Sequence, residues 1–437
     1  MIKLIAILIF LLIYVLIMTE KVHRTILALW GALLFTAIPI FTPEGVQFGL
    51  LTQTDLLKYE NWEALGLIFG MFALIAALRE SGFFRWLGLS LLKRTGYDPL
   101  YVFLIFAVTS AILAAFMDSI TVLMFMAALT IEVCGLLRIN PLPFLLLNIC
   151  SANIGGSATM VGDPPNIIIG TSYHFAFIDF VMNTGPIAVA AFLVNALFFY
   201  FYYRKTFTQR KEIAGRAMAE TGRIDPETAI SDRRLMRVAA AVFALVILLL
   251  TFHHVFHLSV AFIGILGASL VLLLGGEKMP EIIERVDWHT ILFFACLFIM
   301  VGGLEKTGVL ADIADGISRF SGENPLIMVM LVLWTGAIFS AFVDNVPFAA
   351  AMVPIVKHLS LISQVPLATM AWALALGTDI GGNATPIGAS ANIVGMSVYE
   401  KRTGKKAGWG EYCRVAVPAT LMSVTISGLL IYLRYLL

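Results

Sequence analysis

Apolar residues run along this chain in long blocks, each closed by a short polar stretch. Ten blocks have the roughly 20 residues that one helical crossing of a hydrocarbon core needs. They lie at 2–19, 22–40, 61–79, 143–169, 181–203, 234–252, 256–274, 287–305, 366–395 and 411–433. Two further blocks, 99–134 and 325–358, are too long for one crossing, and each carries an aspartate at its centre, Asp118 and Asp344. Split into two arms of about 17 residues, each arm would rise roughly 25 Å as a helix. That predicts a re-entrant hairpin whose tip lies inside the protein. Two short full crossings are the alternative, and either reading returns the chain to the side it left. The first block, MIKLIAILIFLLIYVLIM, has no small-residue cleavage site after it, so a first membrane helix is expected there rather than a signal peptide.

The blocks repeat. GLIFGMFALIAALRESG (66–82) aligns with LFFACLFIMVGGLEKTG (292–308), and SAILAAFMDSITVLMFM (110–126) with GAIFSAFVDNVPFAAAM (336–352). NIGGSATMVGDPPNI (153–167) aligns with DIGGNATPIGASANI (379–393). All three pairs share one offset of 226 residues, which points to internal duplication. The reading is an all-α polytopic membrane protein. Each half, 1–203 and 234–437, holds five crossings plus one hairpin, and 204–233 links them. Five is odd, so the second copy enters from the opposite side. The result is a pair of inverted repeats, the usual plan of alternating-access transporters.

Composition agrees with this. The chain is 60% hydrophobic and 13% charged, against about 25% charged in soluble domains. The net charge of +1 gives no case for a nucleic-acid partner. With both termini placed outside, the external segments hold only Lys3, Lys58, Lys306, Arg319, Lys357 and Arg434 of the 29 Lys and Arg. This positive-inside bias predicts a cytoplasmic linker and external termini in a plasma or bacterial inner membrane. Four separated cysteines suggest neither a disulfide framework nor a metal knuckle, and His253, His254 and His257 read as a polar turn. No Walker motif, HExxH or nucleophile elbow occurs, so enzymatic chemistry is not indicated.

Candidate chemistry sits in two places. Asp118 and Asp344 are the lone charges in the middle of their apolar runs, with Ser119, Thr121 and Asn345 beside them. Intramembrane carboxylates bind ions or protons by default, whereas the bland reading is a helix N-cap. Gly155, Gly156, Gly162, Pro164 and Pro165 interrupt one span, and Gly381, Gly382, Pro386 and Gly388 interrupt another. Such breaks free carbonyls for cations and amides for anions. A packing kink is the alternative. Asn153, Ser157, Thr159, Asp163, Asn166, Asp379, Asn383, Thr385 and Asn392 are the polar groups at the breaks. Asp163 aligns with Ala389, and Asp379 with Asn153, so the expected site is asymmetric. A Na⁺ site is expected at Asp118, Asn153, Asp344 and Asp379, with no organic cofactor and with H⁺ and/or Na⁺ as coupling ion. The expected core holds several carboxylates and no Lys or Arg.

The run SANIGGSATMVGDPPNIIIG (151–170) and the tips FMDSIT (116–121) and FVDNVP (342–347) closely resemble the ion transporter superfamily. The branch is that of the arsenical pumps, the NhaD-type Na⁺/H⁺ antiporters and the melanosomal P protein, with a citrate transporter-like domain. The resemblance implies two hairpins, two broken helices and a homodimer, with an accessory ATPase if the protein is a true arsenical pump. Related dicarboxylate carriers have Ser-Asn-Thr where this chain has Asp118-Ser119-Ile120-Thr121 and Asp344-Asn345-Val346-Pro347, which argues against a dicarboxylate. The expected activity is secondary active transport of a small inorganic ion or oxyacid, by arsenite efflux or Na⁺/H⁺ antiport. A Na⁺-coupled carboxylate or anion symporter and an ion channel are the alternatives.

Overall fold

The computed structural model describes all residues except 1, 20, 38, 43–44, 209–210, 216–224 and 323. Up to the linker the helices are α1 (Ile2–Met18), α2 (Arg24–Ala37), α3 (Gln53–Tyr59), α4 (Trp62–Glu80), α5 (Phe83–Arg94), α6 (Pro99–Phe116), α7 (Ser119–Leu137), α8 (Leu142–Gly156), α9 (Pro164–Tyr173) and α10 (Phe177–Tyr203). Beyond it come α11 (Arg233–Phe256), α12 (Val260–Gly275), α13 (Met279–Glu284), α14 (Trp288–Lys306), α15 (Val309–Ser321), α16 (Pro325–Ser340), α17 (Asn345–Ile362), α18 (Leu367–Gly381), α19 (Ser390–Thr403) and α20 (Trp409–Tyr435). Among the described residues, nine helices are long and apolar enough to cross a membrane.

One expected span is shorter than its apolar block. The block 22–40 yields a helix that ends at Ala37, and a two-stranded antiparallel hairpin follows, β1 (Pro39–Thr42) with β2 (Gly45–Phe48). Pro39 has no amide hydrogen to continue the helical ladder and disfavours helix in the residue before it. This hairpin is the departure from an all-α fold.

Helices at equivalent positions of the alignment share their punctuation. Asn61 caps α4 by accepting from Ala64 N, and Asp287 caps α14 by accepting from Thr290 N. Gly82 and Gly308 turn the chain after those helices at φ 83° and 76°, where a side chain would be strained. The two helices run in opposite directions. Glu80, at the end of α4, pairs with Lys278 and Arg285 just before α14. Lys306, at the end of α14, pairs with Asp55 just before α4.

The last described residues of the linker lie at the Glu80 face, because Ser231 N donates to Ser81 O. On the same face, Phe103 of α6 meets Phe144 of α8 and Phe207, with ring centroids 5.1 Å apart in each case. So α6 and α8 both start there. They also end together: Thr159 Oγ1, just past α8, donates to Ala115 O near the end of α6. From that level α9 continues to the far face, where Thr171 accepts from Asn61, the residue that starts α4. The α6–α7 tip therefore lies at the level where α8 gives way to α9. The α16–α17 hairpin enters from the far face, where His358 of α17 pairs with Asp315 of α15. Lys3 joins Asp312 there, and Tyr435 donates to Asn183, so both chain ends lie opposite the linker.

Four helices, α3, α5, α13 and α15, lie where the sequence reading placed loops, and α5 and α15 are the longest of them. α5 buries Phe84, Gly88, Leu89 and Leu92 and turns Arg85 and Lys93 outward. α15 buries Val309, Leu310 and Ala314. At 12 and 13 residues both are too short to cross, and their one-sided apolar faces fit an interfacial position.

Candidate functional site

The site lies where the two helix breaks and the two hairpin tips meet. Each break opens backbone groups that a single asparagine then satisfies. Asn166 Nδ2 donates to Gly156 O (3.0 Å) and Thr159 O (3.1 Å). Its mate Asn392 donates to Gly382 O (2.7 Å) and Thr385 O (2.9 Å). Thr159 and Thr385 tie the breaks to the hairpin arms through Ala115 O and Ala341 O. Ser157 returns its hydroxyl to Ile154 O, 2.7 Å away. These three hydroxyls hold backbone and do not face the cluster's centre.

Glycine sets how closely the arms lie on the breaks. A Cβ at Gly155 would sit 2.1 Å from Ala111 O, and one at Gly381 would sit 2.2 Å from Ala337 Cα. Gly162 and Gly388 approach Gly156 O and Gly382 O, each at 2.4 Å for an added Cβ. No side chain fits at such distances, which accounts for glycine at equivalent positions of both halves.

Across the halves the contacts interlock. Asn153 Nδ2 donates to Asn392 Oδ1 (2.9 Å) and Asn383 Oδ1 (2.8 Å). At the equivalent position, Asp379 Oδ2 accepts from Asn166 Nδ2 at 2.9 Å. Asp163 joins the two tips: Ser119 Oγ donates to its Oδ1 at 3.0 Å and Asn345 Nδ2 to its Oδ2 at 2.7 Å. Asp163, Asp379, Asn153 and Asn166 are all buried.

The two tip aspartates each use one oxygen as a helix cap. Asp118 Oδ1 accepts from Thr121 N at 2.9 Å and Asp344 Oδ1 from Val346 N at 3.3 Å. Capping explains half of each carboxylate and leaves the other half for other work. Thr121 reaches Asp118 through that backbone amide. Asp344 Oδ2 receives Arg24 Nη1 at 2.7 Å and the Ser390 hydroxyl. The expectation of a core without Lys or Arg is therefore overturned. Arg24 stands at the start of α2, where the sequence reading counted it only as topological charge. It is 320 residues from its partner, and no repeat mate or motif marks it.

The four residues expected to form one Na⁺ site lie in two groups: Asn153 and Asp379 at the crossing of the breaks, and Asp118 and Asp344 at the tips, with Asp163 between. Asp118 Oδ2, Asn153 Oδ1, Asn166 Oδ1 and Asp379 Oδ1 are buried without a hydrogen-bond partner. All four are acceptors. An excess of buried acceptors is relieved by a proton or a cation with oxygen ligands. The mixture of carboxyl and amide oxygens suits a proton or a hard cation better than a transition metal.

Asp118, Asp163, Asp344, Asn345, Ser390 and Arg24 line a void of about 20 Å³, room for a water-sized occupant. Next to it a vestibule of about 310 Å³, lined by Tyr14, His23, Arg24, Asp287 and Asp344, leads from the linker side. Asp118→Asn is expected to leave the protein folded and to remove coupled flux in sealed vesicles, because it keeps its cap and loses its charge. Normal flux in this variant would contradict a role for that tip.

Comparison with known proteins places these features in a wider group. A family model described as a citrate transporter matches residues 14–377. A 46 kDa membrane protein of Mycobacterium leprae is 35% identical over 434 residues, 99% of each chain. The mouse P protein is 29% identical over 494 aligned positions that cover 95% of this chain and 58% of that protein. Among solved structures, the YdaH transporter of Alcanivorax borkumensis superposes with a TM-score of 0.61 at 14% identity, covering 94% of this chain and 98% of that one. At that identity the likeness concerns fold alone.

Proposed function

The chain belongs to the citrate transporter family, and on that premise we propose that it is a cation-coupled secondary transporter whose coupling ion, H⁺ and/or Na⁺, binds among Asp118, Asn153, Asp163, Asn166 and Asp379. Family membership makes it a multi-pass membrane protein that moves small ions or solutes, and a transporter rather than an enzyme. The observation that carries the coupling is the set of buried, unpartnered acceptor oxygens where the breaks and tips meet. A carboxylate among neutral oxygens holds either a proton or a metal cation, so the two compete.

The repeat-mate helices of opposite direction and the hairpins entering from opposite faces support two inverted repeats, each of five crossings and a hairpin. Exchange between two arrangements of these halves would expose the cluster to one side and then the other. The vestibule corresponds to access from the linker side. As cargo we infer a small inorganic ion or oxyacid, with Na⁺ exchanged for protons or arsenite extruded. One observation favours a second reading, a carboxylate or other anion carried with Na⁺. Arg24 and the start of α19 face the vestibule, and guanidinium groups and helix N-termini both suit anions. Flux assays with Na⁺, arsenite and citrate as alternative cargo separate these readings. A steady current that needs neither a Na⁺ nor a pH gradient would establish a channel instead.

The distribution of Lys and Arg further supports a cytoplasmic linker and external termini in the plasma or inner membrane. Single cysteines at Lys211 and Leu437 test it in intact cells with an impermeant reagent. Labelling is expected at 437 and not at 211, and the reverse pattern would overturn the orientation.

A further inference from the structure

The two hairpin tips are built alike but are not compensated alike. Asp118 and Asp344 occupy equivalent positions, and each caps the helix that follows it through Oδ1. The difference lies at Oδ2. On Asp344 this oxygen is taken by the Arg24 guanidinium and the Ser390 hydroxyl. On Asp118, which is 7% exposed, it has no partner. The residues that start the following helices differ in the same sense. Beside Asp118 stands a second carboxylate, Asp163. At the equivalent place beside Asp344 stands Ala389, with Ser390 supplying a hydroxyl where the first half has Pro164. Two acidic groups thus face the void on the first side with no basic group of their own, while a single acidic group on the second side is matched by one arginine.

We propose that Arg24 is a tethered cation: its guanidinium permanently occupies the second of two pseudo-equivalent monovalent-cation sites, and the first, at Asp118 with Asp163, is the one that exchanges its ion. Arg24 is suited to a fixed role. A guanidinium is a permanent, planar cation. Its Nη2 also donates to Thr290 Oγ1 at 3.3 Å, and its guanidinium lies 5.1 Å from the centroid of the Phe293 ring. An arm anchored on α2 and braced by α14 stays with the protein when a free ion would leave. The proposal rests on the cation-coupled reading above and deepens it: of the two sites that duplication created, only one consumes a free ion in each cycle.

The test removes the tethered cation and asks whether a free one replaces it. The full chain is purified in detergent and melted in Na⁺, in guanidinium at millimolar concentration, and in N-methyl-D-glucamine, all as chlorides at constant ionic strength. Arg24→Ala leaves the half-buried Asp344 without its cationic partner, so its melting temperature in N-methyl-D-glucamine should fall by roughly 5–10 °C. Na⁺ or guanidinium should restore most of this loss, whereas neutral urea at the same concentration should not. Arg24→Lys should melt as the wild type does, and Arg24→Ala combined with Asp344→Asn should lose the added cation dependence. An Arg24→Ala protein with the wild-type cation response would overturn the proposal. If Arg24→Ala alone yields no folded protein, the double variant should still fold, because both charges are gone, and its failure to fold would also overturn it. The coupling reading fails on a different result, wild-type flux indifferent to Na⁺ and pH gradients, which these melting curves do not decide.

Discussion

Replacement of Asp379 by Asn is expected to abolish cation-coupled flux, by at least about 100-fold or roughly 3 kcal/mol of cation interaction, while the protein stays folded. Asp379 is fully buried at the crossing of the two breaks. One of its oxygens accepts from Asn166, and the other has no partner. Asn has nearly the same shape and can still accept from Asn166. What it lacks is the negative charge that holds a proton or metal cation beside the amide oxygens of Asn153 and Asn166. Stability should not fall, because an ionised carboxylate without a cation is costly to bury and its neutral isostere is less so. Loss of flux with an unchanged or raised melting temperature is therefore the expected signature. Flux and melting falling together would mark Asp379 as a structural residue. Asp163→Asn should behave in the same way, with its bonds to Ser119 and Asn345 at both tips largely kept.

Gly155→Val should do the opposite and remove the folded protein itself. An added Cβ would lie 2.1 Å from Ala111 O, and that carbonyl belongs to the backbone of α6 rather than to a side chain that could turn aside. Relief requires the hairpin arm to lift from α8, which parts Thr159 from Ala115 and the tip from Asp163. Overpacking at flexible side chains costs about 1–3 kcal/mol. A rigid backbone contact should exceed that, enough to leave little monodisperse protein on size-exclusion chromatography. Gly381→Val should match it, because the equivalent contact is with Ala337 Cα at 2.2 Å. Gly135→Ala is the control: nothing lies within 4 Å of its added Cβ, and it should melt like the wild type. Normal melting of both valine variants would contradict the packing described here.

The helical framework was legible because lipid imposes a simple rule. Every crossing must be a long apolar helix, and duplication printed that rule twice at one offset. The breaks were legible for a related reason, since Gly and Pro inside a span have few uses other than opening it. What the sequence could not show was which side chains meet. Asp163 was legible as a polar group at a break with no mate in the second half, but not as the group that both tips grip. Arg24 looked like topological charge, because an arginine at the end of a span usually reaches for the membrane surface. Its inward turn depends on the position of α2 beside α14, and on a partner 320 residues away. α5 and α15 escaped notice because a short one-sided helix has neither the length nor the mean apolarity of a crossing. The β-hairpin escaped because the apolar block ran straight through Pro39.

The most direct test of cation coupling at the cluster is flux in proteoliposomes with the Na⁺ and pH gradients imposed separately and together. Radiolabelled Na⁺, arsenite and citrate serve as alternative cargo, and wild type is compared with Asp379→Asn. At least one cargo is expected to move in the wild type only when a Na⁺ or pH gradient drives it, and Asp379→Asn is expected to lose this driven component. Cargo movement of equal rate with and without both gradients, or driven flux that survives Asp379→Asn, would contradict coupling at the cluster.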